Sequence, residues 1–277
     1  MKIDAHHHFW KYSAAEYGWI NEQMSALRRD FLPEHLGKEI AAAGIDGVVS
    51  VQARQSIEET VLLLSLADRN SLIKGVVGWV PLADRSVGNV IEQLIANPKL
   101  KSVRHVVQDE PDDRFILRED FNRGVSALKG FGLAYDILIY ERQLPASIEF
   151  VDRHPKQSFV LDHIAKPRIR ENVMEPWRKN ISELAKRKNV YCKISGMVTE
   201  ADWKKWTEAQ LQPYLETVLD AFGPKRLMFG TDWPVCLAAV TYSRWVEIVH
   251  RFAAKLSEDE RDWLFGKTAV EAYKLKA

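Results

Sequence analysis

Short runs rich in Val, Ile and aromatic residues recur along the chain, each followed by a stretch with helical spacing and capping residues. That alternation constrains the fold most, because strands that each lead into a helix are those of βαβ units, whose strands lie parallel. Eight runs are read: 3–6, 47–53 (GVVSVQA), 74–80 (KGVVGWV), 100–107 (LKSVRHVV), 133–137 (LAYDI), 158–163 (SFVLDH), 190–195 (VYCKIS) and 226–231 (RLMFGT). Pro33 at a first helical turn and Gly44 after an alanine run bound a helix over 33–43. Ser56 with Glu59, and Ser257 with Glu260, read as capping boxes. Further helices are expected near 87–96, 120–129, 143–153, 176–188, 210–222 and 242–255, with a last one packing the end of the chain. Eight strand and helix pairs over most of 277 residues predict a single-domain α/β fold over 1–277, a (β/α)8 barrel of the TIM type. The rival is an open, doubly wound sheet. It would usually carry a glycine-rich phosphate turn, and the sequence contains no GxGxxG, no GxxxxGK[ST] and no GxSxG.

Composition removes other classes. With 46% hydrophobic and 28% charged residues the chain is too apolar for disorder and too polar for a membrane bundle. The net charge of +1 and the lack of a basic tract argue against nucleic acid and anionic membrane as partners. Cys192 and Cys236 stand in no metal or redox spacing and read as core residues. With no apolar signal core behind Met1, they point to the cytoplasm.

In a barrel of this kind chemistry gathers where the strands end. The first run exits through His6-His7-His8, the second toward Gln52 and Arg54, and the fourth carries Arg104-His105. The sixth ends in Asp162-His163 with Lys166 beyond, the seventh in Ser195, and the eighth in Thr231-Asp232-Trp233. A purification-tag remnant would be longer than three histidines and would lead into a polar linker rather than Phe9-Trp10. Residues two apart on a strand share a face, so His6 and His8 point together into the mouth as a metal chelate or as a pair of imidazoles polarising a substrate oxygen. Asp232 reads as a general base for water, or as the N-cap of a short helix. His163 and His105 read as catalytic groups, or as satisfied core histidines. Arg54, Arg104 and Lys166 read as substrate-binding groups, although the arginines could equally hold structural ion pairs. Trp10 and Trp233 could line the pocket floor, or fill the core as most tryptophans do.

IDAHHHFW at 3–10, VQARQSIEET at 51–60, VRHVVQDEP at 103–111, LDHIAKP at 161–167 and FGTDWPV at 229–235 together resemble the amidohydrolase superfamily, in its amidohydrolase-2 branch of sugar-lactone hydrolases. The resemblance covers nearly the whole chain. It implies hydrolysis of a sugar-derived lactone, with His6, His8, His163 and Asp232 as the core constellation. Binuclear members use a carboxylated lysine at the end of strand four, where this chain has Arg104-His105, and the fifth strand ends in Asp136 rather than histidine. One divalent ion at most is therefore expected, with zinc as its occupant, either loosely bound or dispensable beside His and Arg donors. Two rivals stand beside this reading: a metal-dependent decarboxylase of aromatic acids from the same branch, and a barrel that binds a sugar acid without turning it over.

Overall fold

In the computed structural model, which describes residues 1–276, the eight runs form parallel strands in the order in which they occur. The last residue of the expected unit 1–277 lies outside the described residues. The strands are β1 (Ile3–His7), β2 (Gly47–Val51), β3 (Ile73–Gly78), β4 (Leu100–Val106), β5 (Ala134–Leu138), β6 (Phe159–Leu161), β7 (Val190–Ile194) and β8 (Leu227–Phe229). Around them lie α1 (Pro33–Ala43), α2 (Ile57–Arg69), α3 (Val87–Leu94), α4 (Glu119–Leu128), α5 (Leu144–Arg153), α6 (Trp177–Leu184), α7 (Glu208–Phe222) and α8 (Tyr242–Ala253). Two short helices, α9 (Glu258–Asp262) and α10 (Thr268–Tyr273), finish the chain. This is the (β/α)8 barrel. Between β1 and β8 the circle closes through backbone bonds, His8 N–H to Trp233 O at 2.7 Å and Asp232 N–H to His6 O at 2.8 Å. Among the described residues no helix is long and apolar enough to cross a membrane.

Local chemistry accounts for the boundaries. Helix α1 spans the expected residues and ends at Gly44, whose φ of 65° provides the left-handed cap. Ser257 and Glu260 form the reciprocal box at α9. At α2 only half of the expected box exists: Ser56 accepts from Glu59 N–H, but the Glu59 carboxylate turns back to accept from Ala53 N–H and Arg54 N–H at 2.8 and 2.6 Å. Strands β6 and β8 are three residues each, shorter than the expected runs 158–163 and 226–231, because the chain turns sharply at Asp162 and leaves the sheet at Gly230.

The barrel interior is layered. Its base is apolar, with Ile3, Ala5, Val49, Val51, Val77 and Met228 packed against Ala269, Ala272 and Tyr273 of α10, which plugs that end. A register shift between Asp4 and His7 in the β1–β2 ladder lets both Ala5 and His6 face inward. Above the base, all buried, lie Asp136, Asp162, Lys193, Ser102 and Arg104. The site rests on this charged layer.

Candidate active site

Lys193 on β7 is the centre of the charged layer. Its ammonium contacts Asp136 at 2.7 Å and Asp162 at 2.9 Å, and lies 3.3 Å from His6 Nδ1. Arg104 donates to Asp162 at 2.9 Å and also to the Gln52 carbonyl. Tyr273 and Ser102 each donate to Asp136 at 2.6 Å. Two cations and two carboxylates thus offset one another in a region without solvent. Burial and then the Lys193 charge drive His6 well below the ordinary imidazole range, which Asp162 only partly opposes. Burial opposes ionisation of Asp162, yet Lys193, His6 and Arg104 together hold its carboxyl well below the usual carboxylate range.

Three imidazoles converge on one carboxylate oxygen above this layer. Asp232 Oδ1 lies 3.2 Å from His8 Nε2, 3.6 Å from His6 Nε2 and 3.9 Å from His163 Nε2. Burial would raise the Asp232 carboxyl, but the facing His163, the His8 hydrogen bond and Lys166 outweigh it and keep the group below its ordinary value. His163 is lowered to about 4, by burial first, with the Asp232 and Asp162 charges opposing. Asp232 has a φ of 61° and does not cap a helix, since the short helix after it starts behind Pro234.

His163 is aimed by an unusual backbone. Residues 163–166 all have positive φ, at 52°, 49°, 61° and 45°, a left-handed turn without glycine. Each such residue costs about 1–2 kcal/mol, so packing must hold the turn. Lys166 N–H closes it onto His163 O at 2.8 Å, and Trp177 Nε1–H donates to Ile164 O at 2.8 Å. The His163 ring lies over Gly196, where a Cβ would come within 2.5 Å of Nδ1, and shares a hydrogen bond with Ser195 Oγ at 2.9 Å. Three residues apart on this turn, His163 and Lys166 both face the mouth.

The site could hold a cation. His6 Nε2, His8 Nε2 and Asp232 Oδ1 are 3.2 to 3.6 Å apart, close to the ~3.4 Å between neighbouring ligands of a tetrahedral zinc with bonds of ~2.1 Å. His8 Nδ1 faces the Val51 carbonyl at 2.8 Å and carries a proton there, so in the neutral ring Nε2 turns a lone pair toward the Asp232 oxygen, whereas a proton on Nε2 makes it the donor of that hydrogen bond. Two acceptors at that distance call for a cation or a proton between them. Arg104 Nη1, 3.4 Å from His6 Nε2, already brings one positive charge to the edge of this space. A second triad, His6, Asp162 and His163, is compromised because Asp162 is taken by Arg104 and Lys193.

A cavity of about 620 Å³ opens above the site, lined by His8, Arg54, Arg104, His163, Lys166 and Asp232. Trp19, Tyr140, Glu200 and Trp203 wall it. An outer chamber of about 870 Å³ adjoins it across Tyr140, Lys166 and Glu200. Arg54 lines the cavity while paired with Glu16 and, at 3.7 Å, with Glu59. Three residues expected at the site lie elsewhere. His105 follows the inward Arg104 on β4 and so points outward, where it meets Glu110 at 2.6 Å and stacks on Phe115. Trp10 is fully buried behind the mouth, its Nε1–H donating to Arg29 O, and Trp233 packs between Phe9 and Phe31. Lys193, Glu200, Trp19 and Trp203 were not foreseen. Of these, Lys193 had a readable signal, a charged residue inside the apolar run VYCKIS, whereas Trp19 and Trp203 stand on turns and Glu200 on a three-residue helix, none of them with a pattern.

Known proteins are similar to this chain over nearly its whole length. L-fucono-1,5-lactonase of Burkholderia multivorans is 42% identical over 99% of this chain and 96% of its own length. The protein of the same name from Burkholderia ambifaria is 35% identical over the same shares. A crystal structure of an amidohydrolase from Burkholderia multivorans with bound zinc superposes with a TM-score of 0.97 at 42% identity, covering all of both chains. The amidohydrolase family model matches residues 3–275, and the chain belongs to that family.

Proposed function

We propose that the protein hydrolyses a sugar-derived lactone to its sugar acid, with L-fuconolactones as the first substrates to test. The observation that carries this reading is the convergence of His6, His8 and His163 on Asp232 at the floor of a cavity, in a chain whose closely similar relatives are lactonases. Their shared name leaves no ground for preferring decarboxylation of an aromatic acid. Asp232, held ionised, takes a proton from water as the water oxygen bonds to the lactone carbonyl carbon. Arg104, and His163 through Nε2, face the oxygen on which negative charge develops. As the bond to the ring oxygen breaks, Asp232 returns its proton to that oxygen and is ready for the next turnover. A divalent ion held by His6, His8 and Asp232, zinc by preference, would add polarisation of the carbonyl. The cytoplasm suits such an enzyme, and we expect neither nucleic acid nor membrane as a partner.

A pH-indicator assay over a panel of aldonolactones, on chelated and on zinc-replete protein, tests the reading. Asp232→Asn should lower kcat by about 10²- to 10⁴-fold with an unchanged circular dichroism spectrum. Retention of most activity removes Asp232 from the role of base, and lack of turnover on every sugar lactone overturns the function.

A further inference from the structure

Lys166 and Glu200 face each other across the wall between the inner cavity and the outer chamber, and both line each space. Their head groups are 3.7 Å apart, too far for a direct hydrogen bond, and the side chains are only 17% and 20% exposed. Among the described residues neither head group has a closer polar partner; Lys166 otherwise has only the Tyr140 ring, 5.5 Å from its Nζ. A mostly buried ammonium and carboxylate with free hydrogen-bonding capacity present a donor and an acceptor side by side. The left-handed turn fixes one of them next to His163, and Glu200 stands on the short 198–200 helix after β7, which is anchored by Thr199 Oγ1–H to Gly196 O at 2.7 Å.

An anionic carboxylate would be attracted by Lys166 and repelled by Glu200, so the pair as a whole does not suit the acid product. It suits adjacent hydroxyl groups, one accepting from the ammonium while its neighbour donates to the carboxylate. We propose that Lys166 and Glu200 are the specificity determinants of the site, reading the adjacent hydroxyls on C2 and C3, the two ring carbons that follow the lactone carbonyl. The proposal rests on the lactonase reading and adds to it the part of the substrate that selects it.

The experiment compares kcat/KM for a fully hydroxylated aldonolactone with that for its 2,3-dideoxy analogue, which lacks both hydroxyls, in wild type, Glu200→Gln and Lys166→Met. Gln keeps the shape of Glu200, so one variant retains the packing of the wall. In wild type the hydroxylated substrate is favoured by about 10- to 100-fold, the scale of a hydrogen bond to a buried charge. Each variant should collapse this ratio by about tenfold or more. A purely structural role lowers both substrates alike and leaves the ratio intact, and that result overturns the proposal. If wild type turns over neither lactone, the function reading falls and this one with it; wild-type turnover with an unmoved ratio in the variants overturns the specificity role alone.

Discussion

At the scale of single residues, the site depends on backbone that few side chains tolerate. Gly196 has a φ of 63° and leaves the space that the His163 ring fills. Gly196→Ala adds a left-handed penalty of about 1–2 kcal/mol and drives a methyl into the imidazole. The expected outcome is a lower melting temperature and a fall in kcat of about 10- to 100-fold, because displacing a reacting group by an ångström is costly. Steady-state kinetics and a thermal melt check it, and a variant with wild-type kcat would show that His163 need not sit where the glycine lets it. Arg104 and His105 give the opposite lesson. Neighbours on a regular ladder such as β4–β5 face opposite ways, so only one of them could reach the mouth, and the inward one is Arg104.

At the scale of elements, strand alternation with helices was legible to within a few residues, because eight apolar runs with caps leave little freedom. The ends of β6 and β8 were not. The run read at 158–163 ends in Asp162-His163 and that at 226–231 in Gly230-Thr231, and composition does not show that the chain leaves the sheet before those residues, as it does at β6 where Trp177 and Gly196 hold the 163–164 turn. His6, His8, His163 and Asp232 were legible as a set because they stand at strand ends, whereas Glu200 sits on a three-residue helix too short for any period to mark it. Between these lies Lys193, which was visible in β7 although its partners come from β5 and β6. Lys193→Met would strand Asp136 as a buried charge and leave Asp162 with Arg104 as its remaining cation, and should cost about 3–5 kcal/mol in denaturant unfolding. Adding Asp136→Asn should restore part of that loss. A double variant as unstable as the sum of the single ones would show that the two groups do not act as a pair.

The barrel as a whole must be closed, and the closure has a pH dependence that can be worked out. Asp4 sits at the junction of the first and last strands, accepting from Thr231 N–H at 3.0 Å, Thr231 Oγ1–H at 2.6 Å and His6 N–H at 3.1 Å. Burial, only partly offset by these donors, pushes its carboxyl up from 3.8 to about 6. A folded-state value above the unfolded one means that the folded chain holds the proton over that interval. This contribution to stability is therefore fully present below about pH 4 and is lost as pH rises through 6, to a total of about 3 kcal/mol. Asn at this position can still accept from both backbone N–H groups through its oxygen and can donate to the Thr231 hydroxyl, without a charge to bury. Unfolding free energies measured by denaturant at intervals from pH 4 to pH 7 should converge on a wild type that weakens relative to Asp4→Asn as the pH rises. Other titrating groups contribute equally to both proteins, so the difference between the two curves isolates the seam. Parallel curves would mean that Asp4 is ionised in the folded barrel throughout, with its three donors fully offsetting the burial.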